Sequence, residues 1–226
     1  MISNLKLGFR ILKFGLNYKS TVISGIIVSL IGIALCLMQA SMAKDGTIPG
    51  GYFLALTAMF MVQMLYTCSM SDVIQASPMK KKLQTSVPAV MSVFCMICGY
   101  SALLLTEGIA AALWPDTMGS VCEQILFSVV VIGCLMLYMG AAYKYFFVSS
   151  ALFMVMFFLT FGYYANRSRS WLSGIGAGSW RTFGLVGAAG FAAILICGLL
   201  QYLLSLAVYK APMSKRALAG ALRRQQ

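Results

Sequence analysis

Long apolar runs alternate with short polar segments along the whole chain. The runs cover residues 21–42, 52–71, 88–113, 124–143, 145–165 and 183–209. Each is long enough to cross the hydrocarbon core of a bilayer as an α-helix, which takes about 20 residues. The pattern predicts an all-α integral membrane protein with six transmembrane helices in a single domain, residues 1–226. The single lysine between the fourth and fifth runs, Lys144, predicts a tight antiparallel hairpin there.

The segment before the first run, residues 4–19, is basic and amphipathic. At helical spacing Lys6, Arg10, Lys13 and Asn17 form one stripe, and large apolar residues cover most of the remaining circumference. This pattern is typical of a helix lying in the membrane interface with its cations toward the head groups. The alternative is that the segment is only the charged flank of the first span.

A small-residue stretch, Ser41-Met42-Ala43, follows the first run and resembles a signal-peptide cleavage site. The apolar region before it is longer than the usual 7–15 residues of a signal peptide. We therefore expect an uncleaved anchor.

The composition excludes most catalytic and metal-binding functions. The chain has 61% hydrophobic and 10% charged residues, no histidine and only five acidic residues. These are too few bases and ligands for hydrolytic catalysis or for a metal site. No glycine-rich phosphate-binding motif ending in Lys-Ser or Lys-Thr is present. We expect no catalytic residue, no metal and no cofactor bound by this chain.

The distribution of positive charge predicts the orientation. With the N-terminus inside, 13 of the 17 lysines and arginines lie on the cytoplasmic side and four lie outside. Both termini are therefore predicted to be cytoplasmic, with residues 210–226 as a basic tail. The net charge of +12 indicates attraction to anionic lipid and not to nucleic acid. The role of the outer arginines, Arg167, Arg169 and Arg181, stays open.

Three polar side chains lie within the predicted spans. Gln63, Glu107 and Gln201 are expected to face the bundle interior, a cavity or a partner, because an unpaired polar group in hydrocarbon is costly. Gln63, at mid-depth, is the best candidate for lining a pathway. Glu107 lies near the outer end of its span and is expected to pair with an outer arginine such as Arg181. A structural role for all three is an equal alternative.

The sixth run carries small residues at four-residue spacing, Gly184, Ala188 and Ala192, with Gly190, Ile194 and Gly198 beside them. Such a face lets helices approach closely in lipid. We expect it to pack within the chain, with a dimer contact as the alternative. The first run has a weaker version of the same face, at Gly25, Ser29 and Gly32.

The longest polar interruption in the first half of the chain runs from Asp72 to Gln84. Its proline is expected to set a turn or a helix start, and the three lysines after it are expected to stay on the cytoplasmic side. The segment is either a contact for a soluble partner or a plain topogenic lysine cluster. Its candidate contact residues are Asp72, Ser77, Pro78, Met79, Lys80, Lys81 and Lys82.

This layout resembles the membrane subunits of ABC exporters of the type-2 permease family. The likeness lies in the basic N-terminal helix, the six spans and the stretch Ser77-Pro78-Met79-Lys80-Lys81-Lys82, which is similar to a Leu-Pro-x-x-Arg pattern in peptide and antibiotic exporters. In that family a short helix at this position docks into a separate ATPase subunit. The chain departs from the family between the last two spans, where the short 166–181 segment replaces a large outer region.

The resemblance implies a plasma-membrane permease subunit that acts with a second, identical or related permease and with two copies of an ATPase subunit. ATP and Mg would bind the ATPase. The implied substrate is an amphipathic peptide, toxin or antibiotic-like molecule moved out of a bacterial cell. The alternative is a non-transporting membrane protein, such as an immunity factor, an anchor or an assembly scaffold. An intramembrane enzyme would need acids and histidines that the chain lacks.

Overall fold

The computed structural model describes residues 2–13, 18–42, 50–69, 76–142, 144–166 and 179–210, and within these ranges the chain is helical with short turns. Within the described residues, helix α1 is followed by seven others and by one 3-10 turn at Pro115–Thr117. The helices are α1 Ile2–Lys13, α2 Tyr18–Met42, α3 Gly50–Ser69, α4 Lys80–Gln84, α5 Ser86–Leu113, α6 Met118–Ala142, α7 Phe146–Asn166 and α8 Trp180–Tyr209.

Four helical stretches in the described part of the chain are long and apolar enough to cross a membrane. They are Tyr18–Met38, Lys80–Leu113, Pro115–Ala142 and Trp180–Tyr209. Helices α3 and α7 contain the shorter apolar stretches Gly50–Leu65 and Val148–Leu159. Length and composition therefore indicate an all-α membrane protein.

Several helices extend beyond their predicted limits. The fourth apolar run was expected to begin at 124, but α6 begins at Met118, because Ser120 and Glu123 near its start are accommodated within the first turns. Helix α8 begins at Trp180, where the hydroxyl of Ser179 caps it by accepting a hydrogen bond from the Thr182 amide. Of the predicted 4–19 helix, the structure describes residues up to Lys13 in α1 and from Tyr18 in α2, and residues 14–17 lie outside the described ranges.

The predicted hairpin at Lys144 is present. Helix α6 ends at Ala142 and α7 begins at Phe146, and the amides of Lys144 and Tyr145 both donate to the carbonyl of Ala141. The two helices then pack against each other along their length.

Helix α5 occupies the centre of the bundle, in contact with α1, α2, α3, α4, α6 and α8, while α7 packs mainly on α6.

Contacts between α6 and α8 show the relative direction of these two helices. Gly190 of α8 lies beside Val129 of α6, and further along both helices Ser205 donates a hydrogen bond to the carbonyl of Gly140. Helices α6 and α8 are therefore parallel, as expected if the intervening α7 reverses the chain.

Small residues join α2 to α3. The hydroxyl of Thr57 lies 3.0 Å from that of Ser29 and 3.3 Å from the carbonyl of Gly25. At Gly32 the backbone carbonyl of Gly50 lies 3.0 Å from the position of an added Cβ. The weaker of the two predicted small-residue faces therefore mediates a contact within the chain.

Replacing Thr57 by valine keeps the side-chain shape but removes both interhelical hydrogen bonds. We expect the unfolding free energy to fall by about 0.5–1.5 kcal/mol, the usual net value of such bonds. Thermal unfolding in a mild detergent measures the change. Thr106→Val is the matched control, because the Thr106 hydroxyl bonds only to the carbonyl of Ala102 in its own helix. An equal loss in both variants would contradict an interhelical role for Thr57.

The other predicted packing face does not pack within the chain. Gly184, Ala188 and Ala192 are exposed on α8, and a Cβ added at Gly184 would meet nothing within 4 Å. The opposite side of α8 is buried instead, through Val186, Gly187, Gly190, Ile194, Gly198, Gln201 and Ser205. The expected contact within the chain is therefore confirmed for Gly190, Ile194 and Gly198 and wrong for Gly184, Ala188 and Ala192, for which a dimer contact stays a prediction.

Candidate functional site: a basic helix at one end of the bundle

The segment that carries the three lysines forms a turn followed by a short helix. Ser77 and Pro78 lie in the turn, where the Ser77 hydroxyl accepts from the Met79 amide at 3.2 Å and the Ser77 carbonyl accepts from the Lys80 amide at 3.0 Å. Helix α4 then begins at Lys80. The prediction of a proline-directed turn before a helix is confirmed.

A bend at Thr85 separates α4 from α5. Thr85 has φ −122° and ψ −75°, and α5 begins at the next residue. Pro88 explains the position of the bend, because proline has no N–H for the carbonyl of Gln84 and its ring clashes with that carbonyl in a straight helix. The third span was predicted to start at Pro88, but the helical backbone already begins at the lysines. Helix α4 is therefore joined to α5 by a single bend residue.

An apolar cluster anchors α4 to three other helices. We call it the basal cluster, and its buried members are Leu12 of α1, Leu65 of α3, Leu83 of α4, and Val87 and Met91 of α5. Leu83 is 6% exposed and is the only contribution of α4 to this cluster. Gly8 of α1 lies so close to Met91 that an added Cβ would come within 2.7 Å of its Cγ. A displacement of α4 would therefore act on α1, α3 and α5 together.

The lysines of α4 point in two directions. Lys81 and Lys82 are exposed, as is Met79 just before the helix, whereas Lys80 is half-buried. Lys80 lies close enough to Lys144 for its charge to act there. Burial, and then repulsion by Lys80, lowers the pKa of Lys144. Helix α4 thus presents two cations outward and holds the third partly buried.

Positive charge collects at the end of the bundle that carries α4. The basal cluster, with Tyr18 packed against it, brings together α1, the start of α2, the end of α3 and the start of α5. The end of α8 contacts α4 and lies beside Gly140 near the end of α6. Lys144 follows α6 and is close enough to Lys80 for the charge of Lys80 to act on it. Described basic residues at this end are Lys6, Arg10, Lys13, Lys19, Lys80, Lys81, Lys82, Lys144 and Lys210. The described acidic residues, Glu107, Asp116 and Glu123, lie in the opposite half, with Arg181.

The three polar residues expected to face the interior differ in burial. Gln201 and Glu107 are 0% and 1% exposed, and among the described residues the Gln201 amide atoms have no hydrogen-bond partner. Gln63 is half-buried on α3. Glu107 does not pair with Arg181, which is exposed, because the carboxyl group points into the bundle beside Cys36 of α2. The expected pairing with Arg181 is therefore wrong, whereas the other outer arginines lie outside the described residues.

The bundle interior is closely packed at mid-depth. A depression between α3, α5 and α6, lined by residues such as Gly51, Met96, Tyr100 and Ile132, has no room for a water molecule. Gln63 remains a candidate pathway residue that no observation tests.

Other predicted features lie outside the described residues. These are Asp72 of the lysine segment, the outer arginines Arg167 and Arg169, and the basic tail beyond Lys210.

Sequence reasoning missed the burial of Gln84 and Leu83 and the partial burial of Lys80. Gln84 is 0% exposed, and among the described residues neither its Oε1 nor its Nε2 has a hydrogen-bond partner. A signal for Leu83 was present, because it is the single large apolar residue after three lysines. Its partners, Leu12 and Leu65, are too distant along the chain to be assigned from the pattern.

Comparison of the chain with protein-family models, with curated proteins and with solved structures found no match.

Proposed function

We propose that this chain is the membrane-spanning subunit of an ATP-driven ABC exporter. The observation that carries the proposal is α4, a short basic helix at one end of the bundle, exposed through Met79, Lys81 and Lys82 and anchored through Leu83 to α1, α3 and α5. A helix of this kind can bind a soluble subunit and transmit the movement of that subunit to several membrane helices. The expected substrate is an amphipathic peptide, toxin or antibiotic-like molecule.

The same proposal places six spans across the plasma membrane, with both termini cytoplasmic. Its support is the apolar character of α2, α3, α5, α6, α7 and α8 and the concentration of basic residues at the end of the bundle that holds α1 and α4. Positive residues stay on the cytoplasmic side during membrane insertion. On this orientation, α4 faces the compartment in which ATP is available.

Energy then arrives from another polypeptide, since this chain lacks a phosphate-binding motif for ATP. Two ATPase subunits, carrying ATP and Mg, would engage α4 and α1 of two permease subunits. Closure of the ATPases would move α4, and the basal cluster would transmit that movement to α3 and α5. The close packing inside one chain favours a substrate path between two permease subunits.

Charge reversal of the exposed lysines tests the proposal. The full chain is purified with the ATPase encoded beside it, and ATP hydrolysis is measured with and without the membrane subunit. We expect Lys81→Glu with Lys82→Glu to reduce the stimulated rate about tenfold or more, because the new charges repel the surface that accepted the lysines. The matched control is Lys19→Glu with Lys210→Glu, which reverses two exposed charges at the same end but away from α4.

The control should keep at least half of the stimulation. If no ATPase copurifies, or if stimulation is the same with and without the α4 charges, the exporter proposal is wrong. The close packing would then favour the second candidate, a non-transporting anchor, immunity factor or assembly scaffold, which needs no path through the protein.

A further inference from the structure

Helix α1 contacts the bundle with only one of its sides. Gly8 and Leu12 are buried there, and Gly8 lies directly against Met91 of α5. The other side of the helix is exposed, and it carries three cations and two large apolar residues: Ile2, Lys6, Phe9, Arg10 and Lys13. Helix α1 is therefore fixed to α5 while its basic side stays free to contact the surroundings.

An aromatic contact joins α1 to α5 at the edge of this exposed side. The rings of Phe9 and Phe94 meet edge to face, with centroids 5.9 Å apart and an angle of 86° between the ring planes. Both side chains keep surface exposed, 42% for Phe9 and 37% for Phe94. At about 100° per residue, Lys13 and Lys6 follow Phe9 around the helix by about 40° and 60°. The aromatic contact thus forms an apolar surface directly beside two cations.

An exposed apolar stripe continues from this contact along α5. Cys98, Leu105 and Ile109 follow Phe94 at intervals that keep them on one face of the helix, and all of them are exposed. Leu105 is the most open of them, at 69%. From Phe94 to Leu105 the helix rises about 16 Å, which is about half of the 30 Å hydrocarbon core. The stripe therefore matches the length of an acyl chain within one leaflet.

Charge decides which class of lipid this surface fits. The exposed cations of α1 lie at the end of the stripe, where a head group would be. The acidic residues that the structure describes lie in the opposite half of the bundle, so none of them competes for these cations. Basic residues on an amphipathic helix attract anionic head groups, whereas the phosphate of a zwitterionic lipid is already balanced by its own cation.

We propose that α1 and α5 together form a binding site for one anionic phospholipid. The head-group phosphate would lie at Lys6 and Lys13, and one acyl chain would run along Phe9, Phe94 and Leu105. A helix that only lay in the membrane interface would select no particular lipid and would need nothing from α5. The site depends on the location of the chain in a membrane and not on the exporter proposal.

Native mass spectrometry of the purified full chain tests the site. The chain, freed of lipid in a mild detergent, is titrated with phosphatidylglycerol and, in parallel, with phosphatidylcholine carrying the same acyl chains. We expect the first phosphatidylglycerol to bind about tenfold or more tightly than phosphatidylcholine, because only its head group carries a net negative charge. Equal binding of the two lipids overturns the proposal.

Two double variants with the same loss of charge separate a site from general attraction. Lys6→Gln with Lys13→Gln should weaken binding of phosphatidylglycerol about tenfold or more. Lys81→Gln with Lys82→Gln removes two exposed cations of α4 at the same end of the bundle and should change binding by no more than about threefold. Equal weakening by the two pairs overturns the proposal.

The apolar part of the site has a closely matched control. Phe94→Ala should weaken binding of phosphatidylglycerol about threefold or more, because an acyl chain loses its contact with the ring. Phe158→Ala removes an exposed phenylalanine of α7 that makes a similar edge-to-face contact, with centroids 5.9 Å from those of Phe157, and it should leave binding unchanged. Equal effects of the two substitutions would show that α5 contributes no specific surface.

Two further results of the same measurements guard against other causes. The lysine variants alter exposed side chains, so their unfolding temperatures in lipid-free detergent should equal that of the unaltered chain, and a marked fall would show that binding was lost through the packing of α1. Lys6→Arg with Lys13→Arg keeps both charges and should keep binding to within about threefold. If the spectra show a dimer that binds no lipid and that Phe94→Ala abolishes, this face belongs to a second copy of the chain and the lipid site is wrong.

Discussion

Replacing Gly190 by alanine is expected to lower the unfolding free energy by about 1–3 kcal/mol, the usual effect of overfilling a packed core. An added Cβ would overlap the hydroxyl and ring of Tyr100 and would lie 2.8 Å from Cγ2 of Val129. Tyr100 is 1% exposed, and its hydroxyl donates toward the carbonyls of Val186 and Gly187, each at 3.3 Å. An aromatic ring held in this way cannot easily move away from the added methyl group.

Gly184→Ala on the same helix is the matched control. Gly184 is exposed and has open space around it, so the added methyl group should leave stability unchanged or raise it by up to about 1 kcal/mol. Thermal unfolding of both variants in the same detergent gives the comparison. Gly190→Ala should also lose less stability when Tyr100 is phenylalanine, since the hydroxyl is the closest atom to the new methyl group. Similar unfolding temperatures for the two glycine variants would contradict the close approach of α5 and α8.

Much of the helical layout followed from the apolar pattern. The runs predicted the existence of the long helices, and Lys144 predicted the α6–α7 hairpin, because a single polar residue leaves room only for a tight turn. Pro78 predicted the turn before α4, since proline favours a turn or a first helical position. These features depend on residues close together in the chain, and for that reason one sequence was enough.

The packing side of α8 could not be predicted in the same way. Small residues occur on both sides of this helix, at Gly184 and Ala188 on one and at Gly190 and Gly198 on the other. The bulk of the opposing residues decides between them, because Tyr100 and Val93 of α5 need space at Gly190 and Gly198. That information lies in another helix, far away in sequence.

Charge complementarity also gave a wrong partner for Glu107. An acid near the outer end of a span and an arginine at the start of the last one suggested an ion pair. The rotation of α5 instead turns the carboxyl group toward Cys36 of α2, while Arg181 remains exposed. Rotation about a helix axis depends on all of its neighbours, and α5 touches six other helices.

The partial burial of Lys80 was also not evident from the sequence. Lysines 80–82 were read as one cluster, but a helical backbone separates successive side chains by about 100° and turns Lys80 away from Lys81 and Lys82.

Replacing Leu83 by alanine is expected to release α4 while the rest of the bundle stays folded. Removing a buried leucine side chain lowers stability by about 2–5 kcal/mol in well-packed sites. Here the lost stability should be that of the packing of α4 on the bundle, because Leu83 is the one apolar contact of α4 with the basal cluster. The amides of Leu83 and Thr85, which donate to Met79 and Lys81 at 3.0 and 3.1 Å, report the release. Hydrogen exchange at these amides should become about tenfold faster or more.

The matched control is Leu105→Ala, which removes the same atoms from a residue of α5 that is 69% exposed from the bundle. Exchange in α4 should be unchanged in this variant, and equal acceleration in both would show that Leu83 is not an anchor.

The same pair of variants distinguishes the two interpretations of the lysine segment. If α4 transmits force from an ATPase, Leu83→Ala should reduce ATPase stimulation about as strongly as reversal of the exposed lysines, although Lys81 and Lys82 are intact. If the lysines only fix the orientation of the chain in the membrane, exchange will accelerate and ATP hydrolysis will stay the same, because orientation depends on their charge and not on where α4 is held.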